Sequence, residues 1–262
     1  MTAPTFPERY GPYALVLGGS YGLGAAYAEA LARRGLSLVL LARQEEPLRA
    51  TATRLQDAYG VDVIALVGDV SDYRDVEQRL RGLDVAIGLV VYDAAYAPVG
   101  RFQDMSEDQL VRLTEVNVRG PLLLARALAG PMIERGRGGI ILMSSLAGSL
   151  GSPNLAAYAA TKSFNAILAE GLWRELRPQG VDVLACMAGA ILTPGYQEAG
   201  GGKPAPGTMP ARDVAEQALR ALGKGPIVIP GGMNKLARFL LMRLLPRRAA
   251  IGVMARNTGG LS

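Results

Sequence analysis

The sequence predicts an α/β protein built on one doubly wound parallel sheet of about seven strands, with helices on both faces. Two observations carry that expectation. Short, almost wholly apolar runs such as Leu36 to Ala42 recur between longer helical stretches, which is how strands read when crossover helices cover both faces of a sheet. The first such run, Tyr13 to Leu17, leads into Gly18-Gly19-Ser20-Tyr21-Gly22-Leu23-Gly24 and then into a helical stretch from Ala25 to Arg34. Strand, glycine turn and helix in that order bring free backbone N–H groups and the positive end of a helix dipole up to a pyrophosphate.

The remaining elements follow in alternation. After the strand Leu36 to Ala42 comes a helix from Glu45 to Tyr59, then a strand from Val61 to Val67 that ends at Asp69-Val70. A helix from about Asp72 to Arg81 and a strand from Val85 to Val91 come next. Ser106 opens a long helix that carries Asn117 and runs to about Glu134, bent near Gly120-Pro121. Gly139 to Met143 is a strand leading to Ser144-Ser145. Ala156 to Arg177 is rich in Ala, Leu and Glu and is ended by Pro178 and Gly180, so it reads as a helix. Val181 to Met187 is a strand, Ala211 to Leu222 a helix, and Ile227 to Ile229 the last short strand. No internal repeat or low-complexity linker interrupts the pattern.

Composition narrows the chemistry. A chain of 262 residues, 50% of them hydrophobic, is enough to bury one sizeable core. It has no histidine, which excludes His-based triads and most zinc sites, and no metal centre is expected. Its one cysteine, Cys186, lies in an apolar run and reads as a buried, inert thiol. The net charge of +5 suits an anionic cofactor, whereas nucleic-acid binding needs a clustered patch and is not expected. The N-terminus carries no apolar run like a signal peptide, so the expected location is cytoplasmic.

Tyrosine, lysine and carboxylates are left to move protons. Tyr158 and Lys162 are spaced i, i+4, which puts both side chains on one helix face. A phenol titrates near ~10, and an ammonium beside it favours the phenolate, so the pair reads as a proton donor and acceptor. Ser145 precedes a turn-rich segment, Gly148 to Pro153, able to fold it toward the same place. Arg43 ends the second strand, 19 residues after Gly24, where an arginine accommodates the 2′-phosphate of NADP and an acidic residue would bind the 2′-hydroxyl of NAD.

Together these features resemble the short-chain dehydrogenase/reductase family. Its nucleotide motif, Thr-Gly-x-x-x-Gly-x-Gly, is matched by Gly18, Gly22 and Gly24; its Tyr-x-x-x-Lys by Tyr158 and Lys162. Its serine, 13 residues before the tyrosine, is Ser145, and its Asn-x-x-Gly is Asn117 to Gly120. The resemblance runs from about Tyr13 to Thr193 and more loosely to Ile229. It implies a Rossmann-type catalytic domain over residues 1–232, with residues 233–262 as a C-terminal helical extension of the same domain. It implies hydride transfer between NADP(H) and a ketone or secondary alcohol. Ser145 is then expected to bind the carbonyl oxygen and Tyr158 to move the proton. Lys162 is expected to hold the nicotinamide ribose and depress the tyrosine pKa, and Asn117 to position a water that links Lys162 to solvent. Cofactor contacts are expected from Gly18, Ser20, Tyr21, Gly22, Leu23, Gly24, Arg43, Asp69, Val70, Ala94, Gly189, Ile191 and Thr193, besides Tyr158 and Lys162.

Three positions depart from the family pattern. Leu17 replaces the threonine, Ala188-Gly189 replaces Pro-Gly, and Tyr92-Asp93-Ala94-Ala95 replaces Asn-Asn-Ala-Gly, where only Ala94 matches. Arg9 to Gly11, Ala26 to Gly35 and Glu175 to Leu184 resemble the 17β-hydroxysteroid dehydrogenases and very-long-chain 3-oxoacyl-CoA reductases, which implies a bulky, mostly apolar substrate. A catalytically silent NADP-binding sensor and a lyase or epimerase are the alternatives. A homodimer or homotetramer is expected. Thr193 to Pro210 reads as a lid over the substrate or as a plain surface loop. Asn234 to Arg256 alternates leucines with Lys235, Arg238, Arg243, Arg247 and Arg248. It reads either as a basic amphipathic helix in weak contact with a membrane surface or as a helix packed on its own domain or a partner, kinked at Pro246.

Overall fold

The computed structural model describes residues 4–193 and 205–258. A short helix, α1 (Phe6–Tyr10), opens the chain, closed by reciprocal hydrogen bonds between Thr5 and Glu8; no periodicity in the sequence announces it. Then come β1 (Tyr13–Leu17), α2 (Gly22–Ala32), β2 (Ser37–Ala42), α3 (Glu45–Tyr59), β3 (Val63–Val67), α4 (Tyr73–Arg81) and β4 (Ile87–Tyr92). The expected long helix is three pieces: α5 (Glu107–Thr114), a π-helical turn Glu115–Arg119, and α6 (Gly120–Glu134). The irregularity therefore falls on the turn holding Asn117, just before Gly120-Pro121. β5 (Gly138–Ser145), α7 (Ala156–Leu176) and β6 (Val181–Ala188) follow, then β7 (Ile191–Leu192), β8 (Met209–Pro210), α8 (Ala211–Ala221), β9 (Ile227–Val228), α9 (Gly232–Phe239) and α10 (Arg247–Thr258).

The seven-stranded sheet has the order β3-β2-β1-β4-β5-β6-β9, every neighbouring pair parallel. β7 and β8 pair separately, a small parallel ribbon the sequence did not suggest. Alternate residues of β1 enter two different cores. Ala14 and Val16 pack with Tyr27 and Leu31 of α2, Leu48 of α3 and Val214 of α8, whereas Leu15 and Leu17 pack with Val76 of α4, Leu124 of α6 and Ala166 of α7. Because both faces are covered, the strands lack a polar side and read as continuous apolar runs. Cys186 is buried in the first of these cores.

α1 is pinned to the far side of the sheet. Arg9 pairs with Asp182 of β6 at 2.6 Å, and the Tyr10 hydroxyl donates to Asp182 Oδ2 at 2.7 Å. Asp182 is almost wholly buried, so these two donors supply the partners that its desolvated carboxylate requires.

The C-terminal stretch is not one helix. α9 ends in a π-helical turn, Leu240–Leu244; Leu245 is extended, and α10 starts after Pro246, where the missing N–H ends the ladder. Met233, Leu236, Phe239, Leu240, Leu244 and Leu245 are exposed. Among the described residues no helix is long and apolar enough to cross a membrane. Of the expected lid, residues 194–204 lie outside the described residues.

Candidate active site

The sheet grows from β1 toward β2 and β3 on one side and toward β4, β5 and β6 on the other. A crevice opens where that order reverses, past the C-terminal ends of β1 and β4. Gly18 leaves β1 and Asp93 leaves β4, and the two turns are stitched together: the N–H groups of Asp93 and Ala94 both donate to the Leu17 carbonyl, at 3.0 and 2.7 Å. Glycine is required here by contact as well as by conformation. Gly18 has φ +94°, and a β-carbon on it would stand 2.9 Å from the Ala94 nitrogen, while one on Gly24 would overlap the Gly18 carbonyl. α2 begins at Tyr21 with no side-chain cap and no acidic residue in its first turn. Tyr21 itself caps none of the first-turn N–H groups, so those at the start of the turn face the crevice, which suits a pyrophosphate, while the Gly24 N–H is turned to Asp93.

The cleft above this turn has a volume of about 380 Å³. Of the expected cofactor residues, Gly18, Ser20, Tyr21, Arg43, Asp69, Val70 and Ala94 line it. Arg43 is largely exposed at its rim, 3.9 Å from Asp69, where a 2′-phosphate can reach it. Burial pushes the Asp69 carboxyl up, but the N–H and hydroxyl of Ser71, together with Arg43 and Arg112, hold it below the ordinary carboxylate value. The Leu23 side chain packs into the core beneath α2, so only its backbone is available to a cofactor. Gly22 and Thr193 approach each other across the turn, a β-carbon on Gly22 standing 3.1 Å from Thr193 Cγ2. Gly189 lies under Asn234 of α9, whose amide donates to the carbonyls of Gly207 and Pro230 at 3.0 Å each, and Ile191 sits in β7.

Sequence reasoning missed several lining residues, among them Asp93, Tyr96 and Arg112. Arg112 of α5 donates to Asp69 at 3.2 Å and lies over the Tyr96 ring, and its Nε is buried without a partner. No local spacing links residues 69, 96 and 112. Asp93 did carry a signal, as a carboxylate where the family has asparagine.

At the other end of the crevice, β5 delivers Ser145 and α7 delivers Tyr158 and Lys162. The Ser145 hydroxyl lies beside Tyr158 and favours its ionised form. Lys162 is buried; its Nζ donates to the Met143 carbonyl at 3.1 Å and stands 5.6 Å from the centre of the Tyr158 ring. The expected depression of the tyrosine pKa is not what this arrangement gives. Burial dominates and pushes Tyr158 up to about 12, the Ser145 hydroxyl only partly opposing it while Asp93 adds to the rise. Burial also brings Lys162 down to about 8, against the pull of Asp93. Tyr158 therefore presents a protonated hydroxyl, a proton donor at neutral pH.

Asn117 is fully buried on the π-helical turn. Its side-chain oxygen accepts from the Tyr96 N–H at 2.9 Å, and its amide donates to the Tyr96 carbonyl at 2.8 Å and to Thr161 Oγ1 at 3.2 Å. It reaches α7 through Thr161, one residue before Lys162, rather than through a contact with Lys162 itself. Tyr92 supports the same turn from below: its buried hydroxyl donates to the Val116 carbonyl at 2.7 Å. A β-carbon on Gly120 would overlap that hydroxyl.

Comparison with known proteins agrees with this geometry. The family model for short chain dehydrogenases matches residues 12–202. The chain is 30% identical over 233 residues to 7beta-hydroxysteroid dehydrogenase of Clostridium sardiniense, covering 88% of this chain and 89% of that one. It is 32% identical over 231 residues to the inactive hydroxysteroid dehydrogenase-like protein 1 of Mus musculus, covering 84% and 68%. A solved short-chain dehydrogenase from Sphingobium yanoikuyae in complex with NADPH is 34% identical and superimposes with a TM-score of 0.79 over 93% of this chain and 95% of that one. The matched span takes in the glycine turn, Tyr158 and every strand of the main sheet but the last, so the chain belongs to the short-chain dehydrogenase/reductase family.

Proposed function

We propose that the protein is an NADP(H)-dependent oxidoreductase that interconverts a bulky, mostly apolar ketone and its secondary alcohol. The observation that carries this reading is the grouping of Ser145, Tyr158 and Lys162 at the C-terminal edge of the sheet, beside the glycine turn that closes on Ala94. The residues present fit the cofactor: the start of α2, which Tyr21 leaves uncapped, for the pyrophosphate, and Arg43 at the rim for the 2′-phosphate. When bound, the nicotinamide supplies or takes up the hydride.

The side chains handle the oxygen. Ser145 and Tyr158 form a pair of hydroxyls aimed at one carbonyl oxygen, so that developing alkoxide charge meets donors already in place. Tyr158, protonated in this pocket, gives its proton to that oxygen during reduction. Lys162, held by the Met143 carbonyl, puts a cation behind the ring and stabilises the phenolate left after transfer. Asn117 keeps the Tyr96 backbone and Thr161 in register, which fixes the approach of α7 to the cleft.

Support for a bulky substrate comes from α9. It packs against the turn that follows Ser145, and Asn234 ties it to Gly207 and Pro230. The helix carries Met233, Leu236 and Phe239, with Leu240 just after it, as exposed apolar side chains, which favours a bulky, apolar ligand on this side of the site. The Clostridium relative is named for a steroid substrate, which suits a bulky, apolar ligand. Exposed Val111, Leu122 and Ile167 on α5, α6 and α7 support assembly as a homodimer or homotetramer.

A silent NADP-binding protein is the second reading, favoured by the mouse relative named inactive. A panel of steroid, acyl and aromatic ketones, scored by NADPH absorbance, separates the two. Turnover with one NADPH oxidised per ketone reduced is expected, and it also excludes a lyase or epimerase. Tyr158→Phe should cut the rate by on the order of 10²–10⁴ with NADPH binding nearly intact. Near-normal turnover by that variant would end the mechanism.

A further inference from the structure

Asp93 stands at a point where a negative charge works against the proposed cofactor. It leaves β4 at the reversal of the strand order, lines the cleft, and faces the first turn of α2. Its Oδ2 is 3.1 Å from where a β-carbon on Gly24 would be, and the Gly24 N–H bonds its carboxylate. That N–H belongs to the helix terminus that has to hold a pyrophosphate. An ionised Asp93 therefore occupies a donor the phosphates need and sets its own charge beside theirs.

The groups facing Asp93 from the surrounding elements are Tyr27 on α2, Tyr158 and Lys162 on α7, and Cys186 on β6. Three of the four are neutral at physiological pH: burial raises the Tyr27, Tyr158 and Cys186 values well above their ordinary ones. Lys162 is the one cation in this set. It is itself desolvated and is held by the Met143 carbonyl, so it only partly compensates a carboxylate here. Burial accordingly drives Asp93 up to about 7, Lys162 and the Gly24 N–H opposing, so a modest change in its surroundings decides its protonation.

We propose that Asp93 couples dinucleotide binding to the uptake of one proton, the carboxylic acid admitting the pyrophosphate at the start of α2 and the carboxylate opposing it. The proton comes from solvent and stays on Asp93 while the cofactor is bound. This rests on the NADP(H) reading above. Linkage then sets the direction: affinity is highest below the Asp93 value and falls as pH rises through it, by roughly ten-fold between pH 6 and pH 8 for a single coupled proton. The 2′-phosphate of NADPH, with its second ionisation near ~6, gains affinity for Arg43 over the same range, so it works in the opposite direction.

Two measurements on the full-length protein and on Asp93→Asn test this. NADPH Kd is measured from pH 6 to pH 8 by quenching of protein fluorescence, with NADH as the probe that lacks the 2′-phosphate. Infrared difference spectra of the NADPH-bound minus the free protein at pH 7.5 are recorded alongside. The proposal expects the NADH Kd to weaken toward high pH in the wild type and to do so much less in Asp93→Asn. It also expects a protonated-carboxyl C=O band that appears on binding and is absent from the variant. A pH-dependent Kd without that band would assign the proton to Lys162 and overturn the proposal. Tight NADPH binding with an NADH Kd that does not depend on pH overturns it while leaving the cofactor assignment standing. No binding of NADPH at any pH, by either protein, overturns both.

Discussion

Tyr92→Phe isolates one hydroxyl. In the π-helical turn the Gly120 N–H goes to the Glu115 carbonyl, and Pro121, which would serve Val116 in the same register, has no N–H, so the Val116 carbonyl is met by Tyr92 Oη at 2.7 Å. Both ends are buried, and Phe fills the same space, so the variant removes the hydrogen bond and little packing. An unpaired buried carbonyl costs about 1–3 kcal/mol. For a chain of this size that lowers Tm by about 2–5 °C in a thermal scan. Asn117 sits next to Val116, so the loosened turn should also slow turnover. Gly120 supplies the control. In the wild type a β-carbon there overlaps the tyrosine hydroxyl, so Gly120→Ala should be strongly destabilising. In the Tyr92→Phe background the same change should be far milder, and the double-mutant cycle should show a coupling of about 1 kcal/mol or more. Unchanged Tm in Tyr92→Phe together with additive effects in the cycle would refute the reasoning that Tyr92 braces this turn.

Other perturbations read different parts of the molecule. Arg43→Asp should reverse the preference of NADPH over NADH in kcat/KM; a wild type that uses NADH equally well would show that Arg43 does not read the 2′-phosphate. Lys162→Ala should damage both rate and cofactor binding, seen as a loss in kcat and a weaker NADPH Kd by titration. Truncation after Gly232 should weaken affinity for bulky ketones and preserve NADPH binding; a fully active product that merely stops binding liposomes would make the segment a membrane anchor. Arg34 and Arg33 hold Glu216 down at about 2. Its folded value lies below the unfolded one, so its contribution is full above about pH 4.5 and disappears as pH falls toward 2. The Tm difference between wild type and Glu216→Gln should shrink over that window, and a constant difference would count against the ion pairs.

The alternation of apolar runs and helical stretches determined the parallel sheet, because strands covered on both faces have no polar side to write. The glycine turn after β1 was equally legible, since only glycine fits where Gly18 meets Ala94 and Gly24 meets the Gly18 carbonyl. Tyr158 and Lys162 were readable as a pair through their spacing, and Ser145 and Asn117 joined them through the resemblance to the family. Their electrostatics were not. The i, i+4 spacing suggested that Lys162 would draw the tyrosine pKa down, whereas burial, which depends on what packs around α7, raises Tyr158 and lowers Lys162 instead. The π-helical turn was visible only as a bend near Gly120-Pro121, and the hydroxyl that braces it comes from Tyr92, 24 residues earlier in the chain. α1 gave no periodicity of its own, being held by Asp182, more than 170 residues away. Asp93, Tyr96 and Arg112 reach the cleft for the same reason: the sequence fixes what each side chain can do, and which of them share a desolvated crevice is decided by strand order and packing between distant segments.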